Sequence, residues 1–149
     1  MATGELATTE LESVKNEWLA RLRDLVMDVQ GWAEGDGWQA RTTTKSLVDA
    51  ELGRYEVPIL LLQRGEVEVA LSPIARKFPG ADGAVDLYLM PAYDDVASLY
   101  AEGKHWFVHD VPFHDPQEPH SIRSAERSLL SSTAIKQVLN AIADHAQSL

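Results

Sequence analysis

The run Tyr55-Glu56-Val57-Pro58-Ile59-Leu60-Leu61-Leu62 continues across Arg64-Gly65 into Glu66-Val67-Glu68-Val69-Ala70-Leu71-Ser72, and its reading decides the fold. Two stretches rich in branched apolar residues, joined by a turn containing glycine, are the sequence signature of a β-hairpin. Closure at Arg64-Gly65 pairs Leu62 with Val67, Leu60 with Val69 and Pro58 with Leu71 on one face. The other face then sets Leu61 against Glu68 and Ile59 against Ala70, a mixed surface for which only partial cover is expected. Pro58 has no N–H to give to a ladder, so its amide side belongs at an edge or a bulge. Beyond a loop at Pro73 to Asp82, a third strand is expected from Gly83 to Met90. Val85, Leu87 and Leu89 face one way along it, Asp86 and Tyr88 the other.

On the N-terminal side, Leu11, Val14, Trp18, Leu22, Leu25, Val29 and Trp32 recur every three or four residues. This spacing predicts a helix from about Thr9 to Gln30, opened by a capping box at Thr9-Glu10-Leu11-Glu12 and stopped by Gly31, Gly35 and Gly37. Glu17 and Arg21 stand one turn apart on its solvated side. A coiled-coil seam would need sustained heptads, so packing on the chain's own sheet is the simpler use of the stripe. Trp38 to Lys45 alternates with β-branched threonines and reads as a first strand, whereas Ser46 to Gly53 carries no clear period.

On the C-terminal side, Val96 to Tyr100 and Lys104 to Asp110 read as two strands around a Glu102-Gly103 turn. Val111 to Pro119 holds three prolines and is irregular. Ile135, Val138, Leu139, Ile142 and Ala146 mark a final helix with Ser132 as its N-cap. The resulting expectation is a single α+β domain over residues 1–149. It has a long N-terminal helix, an antiparallel meander of about five or six strands, and a C-terminal helix packed on the sheet.

Composition narrows the partners. The chain of 149 residues carries 23 acidic against 13 basic side chains, a net charge of −10. Nucleic-acid affinity rests on Lys and Arg displacing condensed counterions, and no basic run exceeds Arg76-Lys77. Neither nucleic acid nor an anionic membrane suits this balance; a basic protein does. The sequence has no cysteine, which removes thiol chemistry and disulfides. With no signal-like N-terminus and no long apolar run, a soluble, cytoplasmic protein is expected.

Histidine supplies the densest candidate chemistry. His105, His109, His114 and His120 lie within sixteen residues, with Asp110 and Asp115 among them. On a strand His105 and His109 share a face but stand about 13 Å apart, too far for one metal. A site for zinc or manganese would instead gather His109, His114, Asp110 and Asp115, with the prolines turning the chain. The spacing matches no compact motif such as H-E-x-x-H, and exposed, turn-capping histidines explain it more cheaply. The expectation is therefore no cofactor, with a divalent metal as the alternative.

A second candidate combines Asp86 with Glu102 and Lys104 in a nuclease-like carboxylate–lysine set. It lacks the basic groove such an enzyme needs. Serine-nucleophile, P-loop and dinucleotide signatures are absent from the sequence. Tyr55, Tyr88, Tyr93 and Tyr100 suit a ligand pocket or a protein-binding surface, but also ordinary half-buried strands.

In size, acidity and element order the chain resembles small acidic secretion chaperones and immunity-type proteins, a likeness of architecture without motifs that map residue by residue. That is an analogy of architecture only; what points to a protein partner is the negative charge, the missing catalytic motifs and the spare apolar residues Ile59 and Leu61. The reading is a non-enzymatic protein-binding module, with a homodimer among its expected partners. The alternative is a ligand-binding protein or metal-dependent hydrolase with a site near His109 and His114.

Overall fold

The computed structural model describes the backbone of residues 2–91, 94–109 and 127–147, and the side chains of residues 9–91, 97–109 and 127–147. Its elements are α1 (Ala2–Glu34), β1 (Gln39–Asp49), β2 (Gly53–Arg64), β3 (Val67–Ala75), β4 (Ala84–Leu89), β5 (Asp94–Glu102), β6 (His105–His109), β7 (Arg127–Leu129) and α2 (Ser132–Gln147). The strands form one antiparallel sheet in sequence order, so the expected α+β meander between two helices is the architecture. Among the described residues it has seven strands rather than five or six. β7 is three residues long and wholly exposed, so it leaves no alternation in the sequence from which to read it.

Both helices lie on one face of the sheet. Trp18, Leu22, Leu25 and Val29 of α1 and Ile135, Val138, Leu139 and Ile142 of α2 share a core with Leu60, Leu62, Val69, Leu71, Leu87 and Leu99. Each fully buried leucine here contributes about 1.5–3 kcal/mol by leaving water. The helical stripe thus serves the chain's own sheet, as its period implied.

α1 begins well before Thr9, so Thr9 and Glu12 stand inside the helix rather than at its cap. Glu12 pairs instead with Lys15 at 3.4 Å. The helix also runs through Gly31. It closes only at Gly37, whose φ of 88° suits the left-handed position of a Schellman motif. There the Gly37 N–H donates to the Glu34 carbonyl, and the Trp38 N–H reaches back to the Ala33 carbonyl at 3.1 Å. Arg21 crosses to the sheet rather than pairing with Glu17. It donates to the Gly103 carbonyl at 2.6 Å and lies 5.3 Å over the Trp106 ring. α2 is capped by Ser131, one residue before the expected Ser132, with its Oγ accepting from the Ala134 N–H at 3.0 Å.

The deciding hairpin is present with its turn one residue later than expected. Arg64 pairs with Val67, Leu62 with Val69 and Leu60 with Leu71, so the turn is Gly65-Glu66. Gly65 takes φ 63° at the first central position, a conformation that Arg64 would resist. Each partner moves by two residues, an even shift, so no side chain changes face. Leu61 now faces Ala70 instead of Glu68.

Pro58 lies beyond the last β2–β3 pair, at Leu60–Leu71, and pairs only with Thr44 of β1. This is the edge position its missing N–H requires. Past it, β1 and β2 continue as a two-stranded ribbon to Asp49–Gly53, taking in the segment that carried no period. Burial changes phase here, from Leu60 and Leu62 to Tyr55 and Val57, because a free ribbon twists more than a wide sheet. The twist brings the Tyr55 hydroxyl to the Trp18 indole N–H, which donates to it at 3.0 Å. The ribbon's turn is held by Asp49, which accepts from the N–H groups of Glu51 and Leu52 and from both Arg76 Nε and Nη2. The Arg76 hydrogen bonds, aided by those two amides, hold the Asp49 carboxyl down at about 2. Among the described residues no helix is long and apolar enough to cross a membrane.

Candidate functional site

The face of the sheet away from the helices carries the candidate chemistry. Ladder register sets Ser72, Asp86, Ser98, His109 and Arg127 in one cross-strand row. The next row holds Ala84, Tyr100, Phe107 and Leu129. The centre of this face is polar but not wet, since Ser72 and Ser98 are 2% and 7% exposed. Buried hydroxyls need partners. Lys45 Nζ donates to Ser72 Oγ at 2.6 Å, and Ser98 Oγ donates to Asp86 Oδ1 at 3.2 Å. Burial pulls the Lys45 amine below its ordinary value, and the Asp86 carboxylate pulls it back up. Asp86 is therefore part of a half-buried polar row rather than of a solvated face.

At one end of the row, His109 enters a cleft of about 440 Å³ walled by Phe78, Pro79, Tyr100, Glu102 and Arg127. The His109 ring meets Tyr100 edge-on at 4.9 Å, and Tyr100 in turn lies 5.1 Å from Phe78. Burial, then the nearby Arg127 cation, lowers the His109 pKa, while Glu102 works in the opposite direction. Arg127 is itself engaged: its guanidinium lies 4.0 Å over the Phe107 ring and pairs with Glu102. The opposing charges on this wall are thus already matched, and the cleft offers aromatic surface with a histidine in its lining.

The expected metal set is not brought together within the described residues. His109 is placed as above, while Asp110, His114 and Asp115 lie outside the described residues, as does His120. His105 is exposed at the far end of β6. Among the described residues no group of three or more His, Asp or Glu side chains gathers to hold a cation. The nuclease-like set is dispersed. Asp86 pairs across to Ser98, about 13 Å along β5 from Glu102, and Gly103-Lys104 forms the β5–β6 turn.

At the opposite end of the face, Leu61 and Ile59 stay partly exposed. Arg41 and Glu68 approach to 3.9 Å on the two strands beside Leu61, around a shallow hollow of about 120 Å³. Sequence reasoning found Leu61, Ile59, Asp86, Tyr100 and His109. It missed Lys45, Ser72, Ser98 and Arg127. The alternation of β3 and β5 could have put the two serines on Asp86's face, but nothing local signals that Lys45 reaches across a diverging ribbon.

Comparison with known proteins found no matching family model, no matching curated protein and no matching solved structure.

Proposed function

We propose that this protein is a non-enzymatic protein-binding module that receives its partner on the face of the sheet away from α1 and α2. One observation carries the reading: both helices serve the same face, which leaves Ile59, Leu61, Tyr100 and Phe107 incompletely covered on the other. Partly exposed aliphatic and aromatic residues, rimmed by polar ones, are the composition of an interaction surface. The net charge of −10 favours a basic partner and speeds its approach at low salt. A cysteine-free chain suits the reducing cytoplasm.

The test begins with partner capture from the source cells, followed by titration of the purified partner against wild type and Leu61→Asp. Leu61 lies away from the main core, so this variant folds. The reading expects a defined complex weakened at least tenfold by the charge. A complex indifferent to Leu61→Asp, and equally to Tyr100→Ala at the other end, contradicts the surface assigned.

The cleft at His109 favours a second reading, a small-molecule site, since its volume lies in the range of ligand pockets and its wall sets aromatic Phe78 and Tyr100 beside the polar groups His109, Glu102 and Arg127. Native mass spectrometry of the freshly isolated protein separates the two. A bound organic molecule released by His109→Ala supports the ligand reading, and a mass equal to the chain alone opposes it.

A further inference from the structure

The two ends of the sheet are finished very differently. Among the described residues, β7 closes one end with three residues, a short edge that offers little to pair with. β1 closes the other with eleven residues, all in unbroken register with β2. Natural sheets blunt such edges with prolines, bulges, outward charges or brevity. β1 contains no proline and no bulge, and it is about twice the usual strand length. Two of its three charges are held against the sheet, Lys45 on Ser72 and Asp49 on Arg76, while Arg41 stays exposed 3.9 Å from Glu68. Thr42, Thr43 and Thr44 are exposed at its middle. Among the described residues no backbone group of β1 bonds to anything but β2.

We propose that β1 is the interface between two copies of this chain, which pair antiparallel about a twofold axis at Thr44 to make one continuous sheet. The sequence of β1 selects both the occupant and the register. A twofold axis through an antiparallel ladder sets one residue opposite its own copy. Centred on Thr43, it would put Arg41 against the partner's Lys45; centred on Lys45, it would put two lysines together. Like charges directly opposite are destabilising.

Centred on Thr44, the axis pairs all eleven residues and leaves no like charges opposed. Arg41 meets Leu47 of the partner copy, and Lys45 meets Thr43. Thr42 lies against Ser46, a hydroxyl pair of the kind that adds to sheet stability. Val48, 75% exposed in the single chain, gains Ala40 opposite it. α1 lies chiefly over β2, which leaves room above the new junction. This pairing uses the sheet's edge, so it stands independently of the partner face proposed above.

The natural chain has no cysteine, and single cysteines report the register directly. Directly opposed residues in an antiparallel pair have Cα atoms about 4.5–5.5 Å apart, within disulfide range, whereas Thr42 and its copy stand about 13 Å apart in this register. Under mild oxidation Thr44→Cys is expected to crosslink into dimers at least tenfold faster than Thr42→Cys. Light scattering of the natural chain should give twice the chain mass at micromolar concentration. Thr44→Lys, an exposed change that leaves the monomer fold intact, should return the single mass. A natural chain of single mass up to several hundred micromolar overturns the proposal. So does a dimer that Thr44→Lys leaves intact, or equal crosslinking at Thr42 and Thr44.

Discussion

The two faces of this sheet are built from the same strands, yet they solve opposite problems. On the helix side, alternate residues of β2 to β4 are mostly large and aliphatic, joined by Ala97, Leu99 and Ala101 of β5, and all are buried in the core shared with α1 and α2. On the other side the same strands carry Ser72, Asp86, Ser98, Tyr88 and Ala70, with larger apolar residues only toward the two ends. A residue's neighbour in sequence thus has a different physical role. Leu60 is wholly buried, while Leu61 keeps partial access to solvent. The sealed hydrophobic core lies on one face, and the partly exposed apolar residues Ile59 and Leu61 lie on the other.

That contrast can be broken from either side. The largest effect is expected at Leu60→Ala, which should cost roughly 2–5 kcal/mol because it empties a site with no exposure, whereas Leu61→Ala should cost under about 1 kcal/mol. Equal losses in urea titrations would refute the division. Next comes Gly83→Ala. A Cβ there would come within 2.5 and 2.7 Å of the Trp18 ring, which is buried and tied to Tyr55. Overpacking of this kind costs about 1–3 kcal/mol and should also change the tryptophan fluorescence.

The ribbon turn gives a comparable effect with a defined pH window. The Asp49 carboxyl is held at about 2 in the fold against an ordinary 3.8, so its contribution is fully present above pH 4 and fades as pH falls toward 2. The shift is worth at most about 2 kcal/mol. Unfolding measured at pH 5 and pH 2.5 should separate wild type from Asp49→Asn at the higher pH and narrow that gap to about a third at the lower. A constant gap would mean that the Arg76 contact is not what holds the turn. The smallest effect on stability is expected for Thr44→Lys in the monomer, within about 0.5 kcal/mol, since Thr44 is exposed and among the described residues no backbone group of β1 bonds to anything but β2.

Most of the fold was legible because its periods are clean: three- and four-residue spacing in α1 and α2, and alternation through β2 to β4. What escaped the sequence was set by tertiary contacts. The hairpin register depended on which of two adjacent residues accepts a left-handed backbone, and only Gly65 does. Arg21 looked like a surface partner for Glu17 until the β5–β6 turn supplied two carbonyls within its reach. β7 is too short to have a period at all. The candidate site was less legible than the fold, because a row such as Ser72–Asp86–Ser98–His109–Arg127 is assembled from five strands and no two of its members are close in sequence. The histidine cluster drew attention to His109 through its density. What gives His109 its setting is Tyr100, nine residues earlier, and Arg127, eighteen later.

The most direct measurement uses the absence of cysteine once more. Leu61→Cys and Val69→Cys place one thiol on each face, and both can be labelled in the folded state with a small disulfide reagent. Leu61→Cys should react within about tenfold of the unfolded rate, while Val69→Cys, wholly buried beneath the helices, should be slowed by roughly a hundredfold or more. Comparable protection at both positions would contradict the account, because a sealed second face leaves no surface for a partner.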